Sequence, residues 1–401
     1  MLFAAVLVAF SVWPMYQYRA NHNAVFSSPN LRVSWTRRLG GKINGGLAFA
    51  DGAIFVESFD RRVNALDAHT GRVLWSTPVS NVVMTTPIVA DRLVIAGTGT
   101  AHVLTQTAHK LIWGRAQGDE VVAFDEGTGR VRWRRKTAGE NMPSPALVKI
   151  RGEDAIVFAN GDDHVRALAV RDGRTLWERA VPGIASMSSA AVHDGRVFVV
   201  IGDGSHSGTR DRLIAVDPAG GRIVWGAPYG NADCSPAIAG GTVFVEGSNA
   251  DAAHPQPNAF NDVEAVDERT GTLRWRWFSG YGRFTSVGSD EEGVAGLAAD
   301  GAFYEGIPAT NEFIAFDART GRIRWRLKTG AAVKMSAVER AGTLYFGDTG
   351  HTFYAVNAKN GRVLSRRPFP TFFTVSPPVI FGGTVYVAND DVVRAMPLGT
   401  N

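Results

Sequence analysis

The chain has 401 residues, 45% of them hydrophobic and 20% charged, with 45 glycines and a formal net charge of +4. That mixture excludes a disordered, collagen-like or coiled-coil chain and is long enough to bury a large core. The single cysteine, Cys234, excludes an intrachain disulfide and a cysteine-based zinc centre, and the 42 basic residues are too scattered to form a nucleic-acid stripe.

Leu2 to Trp13 is apolar apart from Ser11. This run is too short to span a bilayer, which takes about 20 residues, and it has the length of an export signal's apolar region. Residues 1–13 therefore read as a leader or anchor segment, 14–30 as an extended lead-in, and 31–401 as one domain. An exported or periplasmic protein is expected, touching membrane at most through its N-terminus.

The next feature is a repeat. The segment Val63 to Trp75 (Val-Asn-Ala-Leu-Asp-Ala-His-Thr-Gly-Arg-Val-Leu-Trp) recurs down the chain, placing alanine at 65, 123, 167, 215, 265, 315 and 355. Glycine follows at 71, 129, 173, 221, 271, 321 and 361, and tryptophan at 75, 133, 177, 225, 275 and 325, with Ser365 in the seventh copy. An incomplete eighth copy ends at Ala395-Met396, and an unmatched outer piece, Arg32 to Trp35, begins the series. Each unit reads as a hairpin whose aspartate caps a turn and whose glycine supplies a positive φ. Upstream of each lies a second hairpin around a tight turn such as Asp51-Gly52, Asp194-Gly195, Gly240-Gly241 or Asp300-Gly301. Four strands per unit and eight units predict an all-β, eight-bladed β-propeller whose last blade is closed by both termini. Closure of that kind leaves no open sheet edge from which the ring could unravel.

The Ala-x-Asp-x-x-Thr-Gly-x-x-x-Trp unit resembles the tryptophan-docking repeat of pyrroloquinoline-quinone (PQQ) type propellers, over roughly residues 31 to 398. That family includes quinoprotein alcohol dehydrogenases and the propeller subunit of the outer-membrane assembly machinery. The resemblance implies that the motif tryptophans pack between blades and do not stack on a cofactor.

Both kinds of turn are expected on one face of the ring, and the insertions Gly97–Glu120, Gly202–Arg212, Glu246–Asp262 and Phe278–Gly293 on the other, where binding and catalysis usually sit. Aligning the blade-to-blade connections on Ser-Pro-Ala places Ile43, Met84, Met142, Ser186, Asp233, Glu292, Lys334 and Thr374 around one mouth of the central channel. Converging ionisable groups there, Asp233, Glu292 and Lys334, are candidates because burial and like charge shift carboxylate pKa values. The quinoprotein resemblance further implies Asn249 as a calcium ligand, Asp290 as the base that takes an alcohol proton, and Lys334 as a contact to the quinone. Against it stand the missing cysteine pair and the histidine, His102, where the family carries its calcium glutamate; calcium prefers oxygen donors. His102, His109, His164, His206, His254 and His351 read as polar residues of insertion-face loops. Cys234, beside an anionic neighbour, reads as inert.

Two functions are carried forward. One is a non-enzymatic binding or assembly scaffold that takes an envelope protein or small ligand at its insertion face and channel mouth. The other is a PQQ- and calcium-dependent dehydrogenase of an alcohol or sugar. Fold alone does not choose between them.

Overall fold

The computed structural model describes residues 31–82, 85–99, 119–185, 187–202, 211–231, 233–249, 258–283, 296–373 and 375–398. The leader segment, residues 1–30, lies outside them. Among the described residues the strands form eight antiparallel four-stranded sheets. The first blade runs outward through Ala48–Ala50, Ala53–Ser58, Arg62–Asp67 and Val73–Pro78, and the same order recurs in the next six. One 3-10 turn, Pro308–Thr310, interrupts the strands, and no described helix is long and apolar enough to cross a membrane.

Each sheet is packed on both faces by its neighbours, so the second and third strands lose the in-out alternation of a half-buried strand. Ala53–Ser58 is buried at every position, whereas the outermost Val73–Pro78 is mostly exposed. Phe55, Val94, Phe124 and Trp75 share one apolar cluster across the seam between blades 1 and 2, and Phe244 stacks on Phe303 at 4.6 Å across the seam between blades 5 and 6. Burying such a side chain contributes about 1.5–3 kcal/mol, so the repeated seams are the main source of stability.

The tight turns take positive φ at both central residues, 45° and 78° at Asp51-Gly52 and 44° and 69° at Asp194-Gly195, the geometry that joins two-residue hairpins without splaying the strands. The second turn of each blade is capped as its aspartate implies. Asp67 Oδ1 accepts from the Thr70 N–H at 2.7 Å and from its hydroxyl at 2.7 Å. Backbone bonds tie the two turns together: Ala68 N–H donates to Gly52 O at 2.9 Å and Glu268 N–H to Gly241 O at 3.0 Å. Both turns therefore share one face.

The fixed tryptophan spacing has a cross-blade cause. Trp75 Nε1 donates to Glu126 O at 2.8 Å, Trp177 Nε1 to Pro218 O at 2.7 Å, and Trp275 Nε1 to Ala318 O at 3.0 Å. Each acceptor is the residue after the capping aspartate in the next blade. The turn glycine of that next blade lies flat on the indole, and a Cβ at Gly129 would sit 2.5 Å from Trp75. Trp35 makes the same contact to Ala68 O at 3.0 Å, which adds a seventh docked tryptophan.

The ends of the chain meet as expected. Trp35–Arg38 is the outermost strand of the blade formed by Val379–Phe381, Thr384–Asn389 and Val392–Pro397, with Trp35 opposite Ala395. Two expected loops are partly strand. Thr242–Asn249, Asn258–Asp267 and Leu273–Arg283 continue the ladder of blade 5 past the point where other blades stop, pairing Gly247 with Asp262 and Phe260 with Tyr281. His164 is not in a loop either; it begins the strand His164–Ala169.

Candidate functional site: the channel mouth and the seam of blade 5

The residue that opens each innermost strand follows a ring of small polar groups. Gly46 N–H donates to Thr86 Oγ1 at 2.8 Å, Thr86 N–H to Ser144 Oγ at 2.7 Å, Ser144 N–H to Ser189 Oγ at 3.0 Å, and Ser189 N–H to Ser235 Oγ at 2.9 Å. Four consecutive bonds thus step from blade 1 to blade 5. The serine of Ser-Pro-Ala is the acceptor that satisfies a buried N–H of the preceding blade, which loop backbone at this depth must otherwise leave orphaned.

This ring corrects the register of the mouth. Counting two residues back from each ring position gives Asn44, not Ile43; Ile43 is fully buried in the core. The same count gives Met187 in blade 4 where the sequence alignment gave Ser186. In blade 8 the innermost strand begins two residues after Pro377, so Val375 takes the place assigned to Thr374. Asn44, Met142, Met187 and Val375 line one cavity with Thr86, Ser144 and Ser189. It holds only about 20 Å³, room for roughly one water molecule.

Met142 is half-buried on this cavity, and Asp233 and Lys334 are 6% and 5% exposed at the corresponding positions of blades 5 and 7. The Asp233 N–H donates to Asn231 Oδ1 at 2.9 Å, and Cys234 Sγ accepts the Glu246 N–H at 3.1 Å, so the thiol is buried and engaged as a packing group. Met84, Ser186, Glu292, Asp290 and Thr374 lie outside the described residues, as does the side chain of Asn249. His102, His109, His206 and His254 lie outside as well.

Beneath the mouth, blades 5 and 6 hold an accumulation of buried acids that the sequence reading did not single out. Phe244 and Phe303 stack across the seam, and Glu246 and Glu305 lie two residues further along the same strands on the same sides, so both carboxyl groups enter that seam. Glu246 Oε1 accepts from Asn261 Nδ2 at 2.8 Å, and Asn261 Oδ1 accepts the Ala309 N–H at 2.9 Å. Burial pushes Glu305 up to about 8 against one lowering contact, the Gly306 N–H. On the other face of blade 5, Asp262 and Glu264 share the Arg276 guanidinium, and burial raises both despite that charge. In blade 1 the fully buried Glu57 is raised by burial while Thr85 Oγ1 donates to it at 2.8 Å. Acids whose pKa burial raises, with their carboxyl oxygens gathered at the seams of blade 5, suit proton holding or capture of a cation. Their signal in sequence was a glutamate inside strands otherwise apolar, Glu57, Glu246 and Glu305.

Comparison with known proteins places this geometry among relatives of different kinds. A family profile described as outer membrane protein assembly factor BamB matches residues 24–190, 161–296, 259–364 and 309–398. The tetrathionate hydrolase of Acidithiobacillus ferrooxidans is 26% identical over 375 residues, 88% of this chain and 72% of that protein. Outer membrane protein assembly factor BamB of Bordetella pertussis is 26% identical over 204 residues, 49% of this chain and 45% of that protein. The chain thus aligns with less than half of that assembly factor's length. Among solved structures, a quinohemoprotein alcohol dehydrogenase from Pseudomonas putida HK5 superposes with a TM-score of 0.71 at 13% identity, covering 98% of this chain and 81% of that one. At that identity the likeness shows the fold alone.

Proposed function

The chain belongs to the PQQ-like repeat family described as outer membrane protein assembly factor BamB, and from that membership we propose that it is an exported scaffold that docks an envelope protein on its insertion face. The observation that carries this reading is the extension of blade 5. Its three outer strands run longer than those of the other blades, and Phe278, at their base, is 47% exposed, the largest of the apolar side chains exposed on the outermost strands among the described residues. Beside it, Trp277 packs edge-on against Phe316 and under the Arg326 guanidinium at 5.6 Å. A rigid ladder that presents aromatic and arginine side chains is the composition of a protein-binding hot spot.

The experiment places a photo-crosslinking residue at Phe278 and, as a control on the opposite face, at Val73, in cells that export the chain. A discrete adduct with an envelope protein from position 278 and none from position 73 is the expected result. Stoichiometric uptake of PQQ with calcium, together with alcohol oxidation lost in Asp290→Asn, would overturn the scaffold reading.

A second reading is favoured by one observation, the alignment with tetrathionate hydrolase across 88% of the chain. On that reading the mouth is a hydrolytic centre in which the buried Lys334 holds an anionic substrate and Asp233 activates water. Hydrolysis of tetrathionate by the purified chain, abolished by Lys334→Met and Asp233→Asn, would support it; inert protein would leave the scaffold alone.

A further inference from the structure

We propose that His193, Asp194 and Glu268 bind one divalent transition-metal ion, Zn²⁺ first among them, on the turn face between blades 4 and 5. The ligand atoms of the three side chains all lie within 4.8 Å of one another. His193 ends the innermost strand of blade 4, and Asp194 opens the two-residue turn that follows. Glu268 comes from the next blade, directly after the capping Asp267. His193 Nδ1 and Glu268 Oε1 are 2.6 Å apart and share a hydrogen in the metal-free protein.

The repeat does not require these residues. Alanine stands in the place of His193 in four other blades, at Ala50, Ala90, Ala239 and Ala299, and in the place of Glu268 at Ala68, Ala318 and Ala358. The blade seam closes well on alanine, so a polar pair here needs another reason.

Glu268 is held ready. Its N–H donates to Gly241 O at 3.0 Å, and its carbonyl accepts from Trp225 Nε1 at 3.1 Å and Arg196 Nη1 at 3.1 Å. Its side chain is only 8% exposed, against 34% for His193. Two of the three donors are therefore fixed by docking between blades, and the exposed Asp194 can swing to complete the set. Zinc at about 2.0–2.2 Å from each donor asks the imidazole and carboxylate to part by less than an ångström as the ion replaces the shared proton. One imidazole nitrogen with two carboxylates suits zinc, whereas calcium would demand six to eight oxygens. Three protein donors leave a position open. Asp194 and Glu268 line a cavity of about 320 Å³ whose wall includes Arg196, Arg269 and Arg274, so water or a small oxoanion can complete the shell beside the guanidinium groups.

The test uses the full chain, stripped with chelator and titrated with Zn²⁺ by equilibrium dialysis and calorimetry, with Co²⁺ absorption as a report on coordination. Compared with wild type, His193→Ala and Glu268→Gln are expected to lose one equivalent, or to weaken that site about tenfold or more, and His164→Ala to lose nothing. Asp194→Asn, a surface substitution in the turn, is expected to weaken the same site and keeps the test open if Glu268→Gln fails to fold. Equal uptake and equal affinity in wild type and all variants, or no uptake by wild type, would overturn the proposal.

Discussion

The turn glycines carry two constraints at once. Gly271 has a φ of 73°, and a Cβ there would lie 2.7 Å from the Trp225 ring, whereas Gly52, at 78°, has nothing within 4 Å of the same point. Alanine at 52 costs only the left-handed backbone, roughly 1–2 kcal/mol, while alanine at 271 must also displace a docked indole, adding about 1–3 kcal/mol. Urea denaturation is expected to rank Gly271→Ala well below Gly52→Ala, and equal midpoints would show that the indole does not depend on the glycine. The buried acids set a pH dependence. Burial raises Glu305 to about 8 and Glu339 to about 7, well above the ordinary glutamate range near 4.3. Between roughly pH 4.3 and 8 the folded protein keeps protons that the unfolded chain has released. Their contribution is therefore complete below about pH 4.3 and is lost as the pH rises toward 8. Glu305→Gln mimics the protonated acid and is expected to remove part of that decline, up to about 1.4 kcal/mol per pH unit. Unfolding midpoints from pH 5 to pH 8 that fall as steeply in the variant as in wild type would count against a neutral Glu305.

At the scale of elements, docking explains why one motif position departs from the pattern. Ser365 stands where the seventh tryptophan is expected, and the blade after it has no capped turn, because its outer strands are the two ends of the chain. An indole at 365 would find no turn carbonyl. Arg367 Nη1 instead bonds Leu31 O at 2.7 Å, the same service that Arg37, Thr77 and Arg135 give to turn-glycine carbonyls elsewhere. Trp275→Phe, which keeps the ring but orphans Ala318 O, is expected to cost roughly 1–3 kcal/mol. Ser365→Trp is expected to gain nothing; calorimetry on both variants checks the pair, and a clear stabilisation by Ser365→Trp would contradict the docking argument. Blade number, hairpin chemistry and strand order were all legible in the sequence, because two fixed spacings recur in seven copies. The bulge that sets Ala65 opposite Trp75 but Leu66 opposite Val73, present in each of those copies, was not. It moves one residue on an exposed strand, which leaves no trace in hydrophobic pattern.

For the whole molecule, closure and the mouth are one frame. The leap from Trp35 to Ala395 could be read from complementary half-blades at the two ends. Met142 could be placed on the mouth cavity because Ser-Pro-Ala marks its strand, and Asp233 and Lys334 hold the equivalent positions in blades 5 and 7. Asn44, Met187 and Val375 could not: a one-residue difference in connection length shifts which side chain faces the channel, and only the inter-blade hydrogen bonds fix that count. His193 and Glu268 are 75 positions apart and meet only because neighbouring blades dock, so neither looked exceptional in sequence. The seam of Glu246 and Glu305 was hidden for the same reason. The frame is a closed ring of eight sheets. Native-state hydrogen exchange tests it most directly, since the amides of Thr86, Ser144 and Ser189 lie outside strands yet donate across blade seams, and those of Trp35–Arg38 depend on the opposite end of the chain. The closed ring predicts that the three mouth amides exchange as slowly as strand amides and that Trp35–Arg38 exchanges like the outermost strands of the other blades. Rapid exchange throughout Trp35–Arg38, with the other seven outer strands protected, would show an open ring and contradict the account.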